Sequence, residues 1–171
     1  MKLGRVFGFG AAMLLSFATI CAVPAFAQPV DKIDNKARCI VCGMFVAKYP
    51  NWITQIRDSA GKVEMFDGVK DMMAYYFDPA AFGGDSKVTP AEIWVKDYYT
   101  LAWLDGRKAF YVLGSDVYGP MGDEFIPFQD KAAAESFLKD HHGKQVLSFS
   151  EITKDMIDSM RSQHKMQHMM H

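Results

Sequence analysis

The sequence predicts an α+β protein made of two homologous ββαβ units that pack against each other. Three observations support this fold class. Apolar and polar residues alternate on both sides of turn-forming segments, which indicates hairpins. Two later segments place apolar residues at helical spacing. The order strand, strand, helix, strand then recurs with a period of 62 residues, because Phe66 aligns with Phe128.

The first 27 residues have the features of a secretory signal peptide. Lys2 and Arg5 precede a long apolar stretch, and small residues end it at Ala27. An uncleaved anchor is the alternative, since the stretch approaches the roughly 20 residues of a membrane span. The bulky isoleucine before Cys21 is unfavourable for lipid attachment. We expect Sec-type export to the periplasm, cleavage after Ala27, no membrane span after processing and no lipid anchor.

The mature chain is short and slightly acidic. Loss of 27 of the 171 residues leaves 144, which suits one domain or two very small ones. The full chain has 19 Lys and Arg and 20 Asp and Glu, so removing Lys2 and Arg5 leaves a net charge near −3. Without a basic surplus we expect no nucleic-acid partner. Cleavage also removes Cys21, so Cys39 and Cys42 are the only mature thiols.

The first unit is assigned to residues 39–104, after an N-terminal segment at 28–38. Strand patterns on either side of "SAG" predict a hairpin. Asp67 stands at the expected N-cap of a helix that ends before Pro79. Strand-like residues then resume through "AEIWVKDYYTLAWLD". The short stretch "MFVAK", directly after the thiols, is also expected to be a strand.

The second unit, residues 105–152, repeats this order. Its first two strands, "KAFYVLGS" and "EFIPFQD", are joined by a turn-rich loop that contains Pro-Met-Gly. Asp130 is expected to cap the following helix and Gly143 to stand at its C-terminal cap. "KQVLSFSEI" closes the unit as a final strand. Residues 153–171 lie outside both units and are expected to form a flexible tail rich in Met and His.

Cys39 and Cys42 form a Cys-x-x-Cys pair, for which the surroundings favour some uses over others. Gly43 replaces the His that covalent haem attachment requires. A structural zinc site needs further Cys or His ligands, which the mature chain lacks near the pair. A redox pair usually opens a helix after a strand, whereas this pair precedes an expected strand. A thiol–disulfide oxidoreductase that uses Cys39 and Cys42 therefore stays the alternative function.

Soft-metal binding fits the sulfur content of this motif. Thiolate and thioether sulfurs are soft ligands that suit Cu(I). Cys42 and Met44 would point the same way in an extended chain, and Gly43 permits a bend toward one ion. Met121, in the Pro-Met-Gly loop, is a candidate third sulfur ligand. Core packing is the alternative for both methionines. The candidate metal ligands are thus Cys39, Cys42, Met44 and Met121.

The C-terminal tail has the strongest compositional bias. Eight of the sixteen residues from Met156 to His171 are Met or His. An amphipathic helix docked on the core would explain the segment to about Met160, but the final eight residues suit burial poorly. Histidine-rich tracts are typical of metal binding. We therefore expect a secondary metal site formed by His164, Met166, His168, Met169, Met170 and His171.

Together these motifs resemble the NosL family, the accessory proteins of nitrous oxide reductase. The resemblance extends from about Arg38 to Ile152 and is carried by "CIVCGM", "WITQIRDSAGKVEMFDG" and "YGPMGDEFIPF". It implies an exported Cu(I) chaperone with two homologous ββαβ units. It also implies that Cys42, Met44 and Met121 hold the metal.

The resemblance further implies a protein without catalytic turnover. Such a metallochaperone delivers Cu(I) to a periplasmic acceptor protein, or it receives the ion from a donor protein and sequesters it. The delivered copper could serve the maturation of a copper enzyme such as nitrous oxide reductase.

Overall fold

The structure is a computed structural model that describes residues 28–169, with side chains as far as residue 163. It contains two antiparallel sheets and three α-helices, which confirms the predicted mixed fold of helices and strands. The expected signal peptide, together with Met170 and His171, lies outside the described residues. Within residues 28–169 no helix is both long enough and apolar enough to cross a membrane.

The first sheet has four strands in the order β2-β1-β3-β4, each antiparallel to its neighbours. Helix α1 follows β2, and its first six residues are buried. The alternation of apolar residues in β1 and β3 places Ile56 opposite Ile93, and both are buried. The elements are β1 (Thr54–Asp58), β2 (Val63–Phe66), α1 (Val69–Phe77), β3 (Pro90–Lys96) and β4 (Trp103–Asp105).

The second sheet has the order β6-β5-β7, with helix α2 between β6 and β7 in the chain. The Asp130 side chain accepts a hydrogen bond from the Ala133 N–H, so the predicted helix cap is present. In the first sheet β1 lies between β2 and β3, and α1 connects these two neighbours in the chain. In the second sheet β5 lies between β6 and β7 in the same way, and α2 connects them. Homology of the two units, and their boundaries, stay predictions. The elements are β5 (Phe110–Gly119), β6 (Gly122–Phe128), α2 (Lys131–Asp140) and β7 (Gln145–Ser148).

Both sheets contribute to one main core. Ile56 and Ile93 of the first sheet belong to the same buried cluster as Tyr111 and Phe125 of the second. The Tyr111 hydroxyl donates to the Gly106 carbonyl at 2.6 Å, which satisfies the polar end of this buried ring. Because the sheets share this cluster, the apolar surface of one is buried by the other.

Helix α3 (Lys154–Met169) occupies the segment that the sequence predicts to be a flexible tail. Ile157 is only 1% exposed, and Met156 and Met160 pack against the main core. The prediction of a flexible tail is therefore wrong for the start of this segment, where the alternative of a docked amphipathic helix holds. The reason is the spacing of the three apolar residues, which places them on one helix face.

Two local predictions differ from the structure near the thiols. The expected strand after Cys42 is reduced to a single antiparallel bridge between Arg38 and Phe45, followed by a 3₁₀ turn at Val46–Lys48. Val46 of this turn is fully buried in the main core. The N-cap of α1 is Gly68 and not Asp67.

Two further differences lie in the second half. The turn-rich loop expected between β5 and β6 is only two residues long, because the strands extend to Gly119 and from Gly122. After α2, the left-handed backbone conformation belongs to His142 and not to Gly143. A side chain at Gly143 would lie 2.7 Å from a Val112 methyl carbon. This glycine therefore permits close packing rather than a positive φ.

Candidate metal centre

Two thiols and two carboxylates converge on one side of α1. One ligand atom from each of Cys39, Cys42, Asp67 and Asp71 lies within 4.8 Å of the others. Both cysteines are free. Cys39, Asp67 and Asp71 are 1%, 1% and 3% exposed, whereas Cys42 is half-buried. The cluster is thus a buried site that is open on the side of Cys42.

A tight turn holds the two thiols together. The Cys39 N–H donates to the Met44 carbonyl at 2.9 Å, and the Gly43 N–H donates to the Cys39 carbonyl at 2.8 Å. Gly43 has a φ of +79°, so it supplies the bend that the sequence predicts there. The Arg38 guanidinium donates to the Gly43 carbonyl at 2.7 Å and lies over the Phe45 ring. These contacts order the turn around the thiols.

Each thiol faces a carboxylate from the start of α1. The Cys42 Sγ lies 3.2 Å from Oδ1 of Asp67, and the Cys39 Sγ lies 3.6 Å from Oδ2 of Asp71. The second oxygen of Asp71 accepts from Arg161 of α3. The second oxygen of Asp67 is buried and has no hydrogen-bond partner among the described residues. Asp67 is therefore the least satisfied group of the site.

The sequence pattern predicts neither carboxylate as a site residue. An aspartate just before a helix is typical of an N-cap, which is how Asp67 is interpreted from sequence. In the structure Gly68 occupies that position and releases the Asp67 side chain toward Cys42. The available signal was the spacing of four residues between Asp67 and Asp71, directly after a strand.

The electrostatics of the cluster favour a protonated Cys42 thiol when no cation is present. The neighbouring Cys39 sulfur and burial raise the pKa of the Cys42 thiol well above its ordinary value, while the Met44 N–H acts against this shift. Burial also raises the pKa of Asp71, and the Arg161 guanidinium opposes that shift. A metal cation that binds these thiolates must therefore displace protons.

Glu124 supplies the cap of α1 from a distant strand. Its Oε1 accepts from the backbone N–H of Lys70 at 2.6 Å and from that of Phe125 at 2.9 Å. A Cβ at Gly68 would lie 2.1 Å from its Oε2, so a side chain at this position would displace the carboxylate. Burial raises the pKa of Glu124 to about 8, although Lys70 lowers it. The residue thus fixes the start of α1 against β6.

The structure places Met121 at the tip of the β5–β6 hairpin, next to α1. The Lys70 ammonium donates to the carbonyls of Met121 and Asp123 at 2.6 and 2.7 Å. Lys70 directly precedes Asp71, so the hairpin tip is attached to the helix that supplies a carboxylate of the cluster. Met44 lies at the end of the thiol turn. Coordination by either methionine sulfur stays a prediction.

The alternative role of these methionines, packing in the core, has little support. Met44 and Met121 are both half-buried. Within the described part of the chain, neither belongs to the apolar residues that pack against the two core clusters. By contrast, Met72 and Met73 are fully buried in the main core. Met44 and Met121 are therefore the methionines whose positions the core does not explain.

The side chains of the predicted tail site lie outside the part of the chain that the structure describes. His164, Met166, His168 and Met169 fall within the backbone of α3, beyond the last described side chain at residue 163. Met170 and His171 lie outside the described residues. A metal-binding role for these six residues stays a prediction.

Comparisons with known proteins agree on one family. The family model of NosL matches residues 29–157. A copper-binding lipoprotein NosL of Stutzerimonas stutzeri is 28% identical over 170 residues, which cover 92% of this chain and 84% of that protein. A protein of the same name from Achromobacter cycloclastes is 28% identical over 109 residues, covering 63% of this chain and 52% of its own length.

A solved structure shares the fold. The crystal structure of the copper chaperone NosL from Shewanella denitrificans matches with a TM-score of 0.63 and 27% identity. The match covers 78% of this chain and 99% of that one.

Proposed function

Because the chain belongs to the NosL family, we propose that it is an exported metallochaperone that binds copper as Cu(I). The two named relatives are copper-binding lipoproteins, and the structural relative is a copper chaperone. The observation that carries the proposal is the pair of free thiols in one ordered turn, close together, with Cys39 buried and Cys42 half-buried.

Sulfur ligands explain the choice of Cu(I). Monovalent copper is a soft ion that accepts two or three thiolate or thioether ligands. Cys39 and Cys42 supply thiolates, and Met44 ends the same turn. Met121 reaches this side of the molecule through the contact of its carbonyl with Lys70. The proposed primary ligands are therefore Cys39, Cys42, Met44 and Met121.

The geometry favours metal binding over thiol–disulfide exchange. A redox thiol is usually activated by a helix N-terminus or a nearby cation, which lowers its pKa. Here both cysteines lie in a turn, and the pKa of the Cys42 thiol is raised. Cys39 is almost completely buried, so a substrate disulfide has no access to it. The protein accordingly has no catalytic turnover in this proposal.

Transfer of the metal would take place on the side of Cys42, the half-buried and more accessible thiol of the pair. Ligand exchange requires that an incoming sulfur or nitrogen reach the ion, which the buried side of Cys39 prevents. The partner is a donor or acceptor protein in the periplasm, and a copper enzyme such as nitrous oxide reductase is the proposed client. The Met and His residues of the tail would supply weaker additional sites.

An anaerobic Cu(I) titration of the reduced mature protein against a colorimetric chelator tests this proposal. We expect one tightly bound ion per chain, confirmed by native mass spectrometry. Cys42→Ser should lose that ion and keep its fold by circular dichroism. Ser115→Ala, a hydroxyl change on the β5 strand, is the matched control and should retain it. A Cys42→Ser variant that still binds one tight ion would overturn the proposal.

A further inference from the structure

We infer that Cys39, Cys42, Asp67 and Asp71 also form a tetrahedral site for a divalent cation of the zinc type. This inference does not rest on copper binding, because it follows from the two carboxylates. Carboxylate oxygens are poor ligands for Cu(I) but suit divalent ions, which also accept thiolates. A set of two sulfurs and two oxygens is thus better matched to Zn²⁺ than to monovalent copper.

The distances agree with tetrahedral coordination. Zinc–sulfur bonds of about 2.3 Å and zinc–oxygen bonds of about 2.0 Å place adjacent sulfur and oxygen ligands about 3.5 Å apart. The two sulfur–oxygen pairs here are separated by 3.2 and 3.6 Å. All four ligand atoms lie within 4.8 Å of one another. Small side-chain rotations would bring them around one ion.

The unpartnered oxygen of Asp67 is the second observation. Asp67 is 1% exposed, and its Oδ2 has no hydrogen-bond partner among the described residues. A buried carboxylate is stable only when it is paired with hydrogen-bond donors or a cation. Its other oxygen already faces the Cys42 sulfur. A cation bound by Oδ1 and the Cys42 sulfur would offset the negative charge of this buried carboxylate.

The charges around the cluster also match a divalent ion. With both thiols deprotonated, the four ligands carry four negative charges. Arg161 pairs with Asp71, and Lys70 adds a second positive charge that acts on the same carboxylate. Two negative charges remain, which a dication neutralises and a single Cu(I) does not.

Arg161 also orients one of the proposed ligands. It binds Oδ1 of Asp71, so Oδ2 is left facing Cys39. Hydrogen bonds of this kind to the non-ligating atom of a metal ligand fix its orientation and commonly change metal affinity by about 10–100-fold. The hydrogen bond that orients Asp71 toward the proposed ion is therefore already present in this structure. Because both chemistries use the thiols, Cu(I) and a divalent ion exclude each other here.

Cobalt(II) titration of the reduced mature protein tests the inference, since Co²⁺ reports tetrahedral thiolate coordination by absorption. We expect one Co²⁺ per chain, a thiolate-to-metal charge-transfer band and release by one equivalent of Zn²⁺. The band requires sulfur, so cobalt held by the tail histidines does not produce it. Asp67→Asn should weaken Co²⁺ binding at least about tenfold.

Two further variants keep the test decisive. If Asp67→Asn fails to fold, Asp71→Asn replaces it in the test. This variant should weaken Co²⁺ binding by a similar factor. Asp140→Asn, an exposed carboxylate on α2, is the matched control and should change neither metal. Wild-type protein without the charge-transfer band, or Asp67→Asn with unchanged Co²⁺ affinity, would overturn the inference. Wild-type protein that binds Co²⁺ with the charge-transfer band but does not bind Cu(I) tightly would instead contradict the proposed copper function.

Discussion

The role of a single residue in this protein depends strongly on its neighbours in space, as Asp67 shows. Asp67 has the sequence position of a helix cap, yet it faces Cys42 because Glu124 caps α1 instead. The Glu124 carboxylate fits only because Gly68 has no side chain. One buried glutamate therefore determines both the start of the helix and the availability of an aspartate for the site.

Glu124 should also make stability depend on pH. Its pKa is raised from the ordinary value to about 8 in the folded protein. Between these values the folded state holds a proton that the unfolded state has lost, so stability falls as pH rises. Glu124→Gln keeps an acceptor for both N–H groups and cannot titrate. Between pH 5 and 8, wild type should lose up to about 1.4 kcal/mol per pH unit relative to Glu124→Gln.

Urea unfolding of both proteins at pH 5, 6, 7 and 8 measures this difference. Groups that the two proteins share cancel in the comparison. Equal loss of stability in wild type and Glu124→Gln would show that the buried carboxyl does not hold its proton in this range.

At the scale of elements, α1 is the common support of the site. It begins beside the thiols, carries Asp71, and holds the β5–β6 hairpin through Lys70. Helix α3 contacts the same helix through the ion pair of Arg161 with Asp71. The thiol turn, the β5–β6 hairpin and α3, which are distant from one another in sequence, therefore meet at the first turn of α1.

Replacement of Lys70 by Met should release the hairpin tip. The change removes donors from the carbonyls of Met121 and Asp123, which should cost about 1–3 kcal/mol of folding stability. If Met121 is a copper ligand, Lys70→Met should also weaken Cu(I) binding through it. In a Met121→Leu background the same change should then have almost no effect on affinity.

The four proteins of this double-mutant cycle are compared by anaerobic Cu(I) titration. Additive losses of affinity would mean that Lys70 does not act through Met121. Lys96→Met, on the β3 strand, serves as the control for loss of a lysine charge.

Docking of α3 should be a substantial part of the folding energy. Ile157 is 1% exposed and belongs to the main core. Truncation to alanine removes a buried side chain from a packed cluster, so Ile157→Ala should destabilise the fold by about 2–4 kcal/mol. Chemical denaturation measures this loss. Ser159→Ala, at an exposed position of the same helix, should stay within about 0.5 kcal/mol of wild type. Similar values for both variants would contradict docking.

At the scale of the whole molecule, two sheets share one core and present the site on one side of it. Tyr111 and Phe125 from the second sheet are buried with Ile56 and Ile93 from the first. The shared core and the hydrogen bonds of Lys70 connect α1 to the Met121 hairpin. The proposed ligands from both halves can then be held in place before a metal arrives, which lowers the cost of ordering them.

The expected export would determine where this molecule acts. We expect cleavage after Ala27, which would give a mature protein that starts at Gln28 without lipid. The relatives are named lipoproteins, so attachment of lipid at Cys21 is the competing outcome. Intact mass spectrometry of the protein from periplasmic and membrane fractions distinguishes the two. Membrane-bound protein with the mass of a lipid-modified Cys21 would contradict our expectation, and Cys21→Ser should then release it.

The sequence by itself determined the features that depend on near neighbours in the chain. Asp130 caps α2 through a hydrogen bond three residues away, and the hairpin strands follow from alternation. The bend at Gly43 requires only the backbone freedom of one residue. The thiols of Cys39 and Cys42 could be proposed as a metal motif because their spacing alone brings them together. Such local interactions leave a pattern that a single sequence displays.

Only the tertiary structure decided which groups surround those thiols. Asp67 and Asp71 contact cysteines 25 and 32 residues earlier in the chain, and Arg161 reaches Asp71 across 90 residues. Glu124 caps a helix that begins more than fifty residues before it. These contacts follow from how the two sheets and α3 pack together. A buried carboxylate and an exposed one have the same letter in the sequence, and only packing excludes water from one of them.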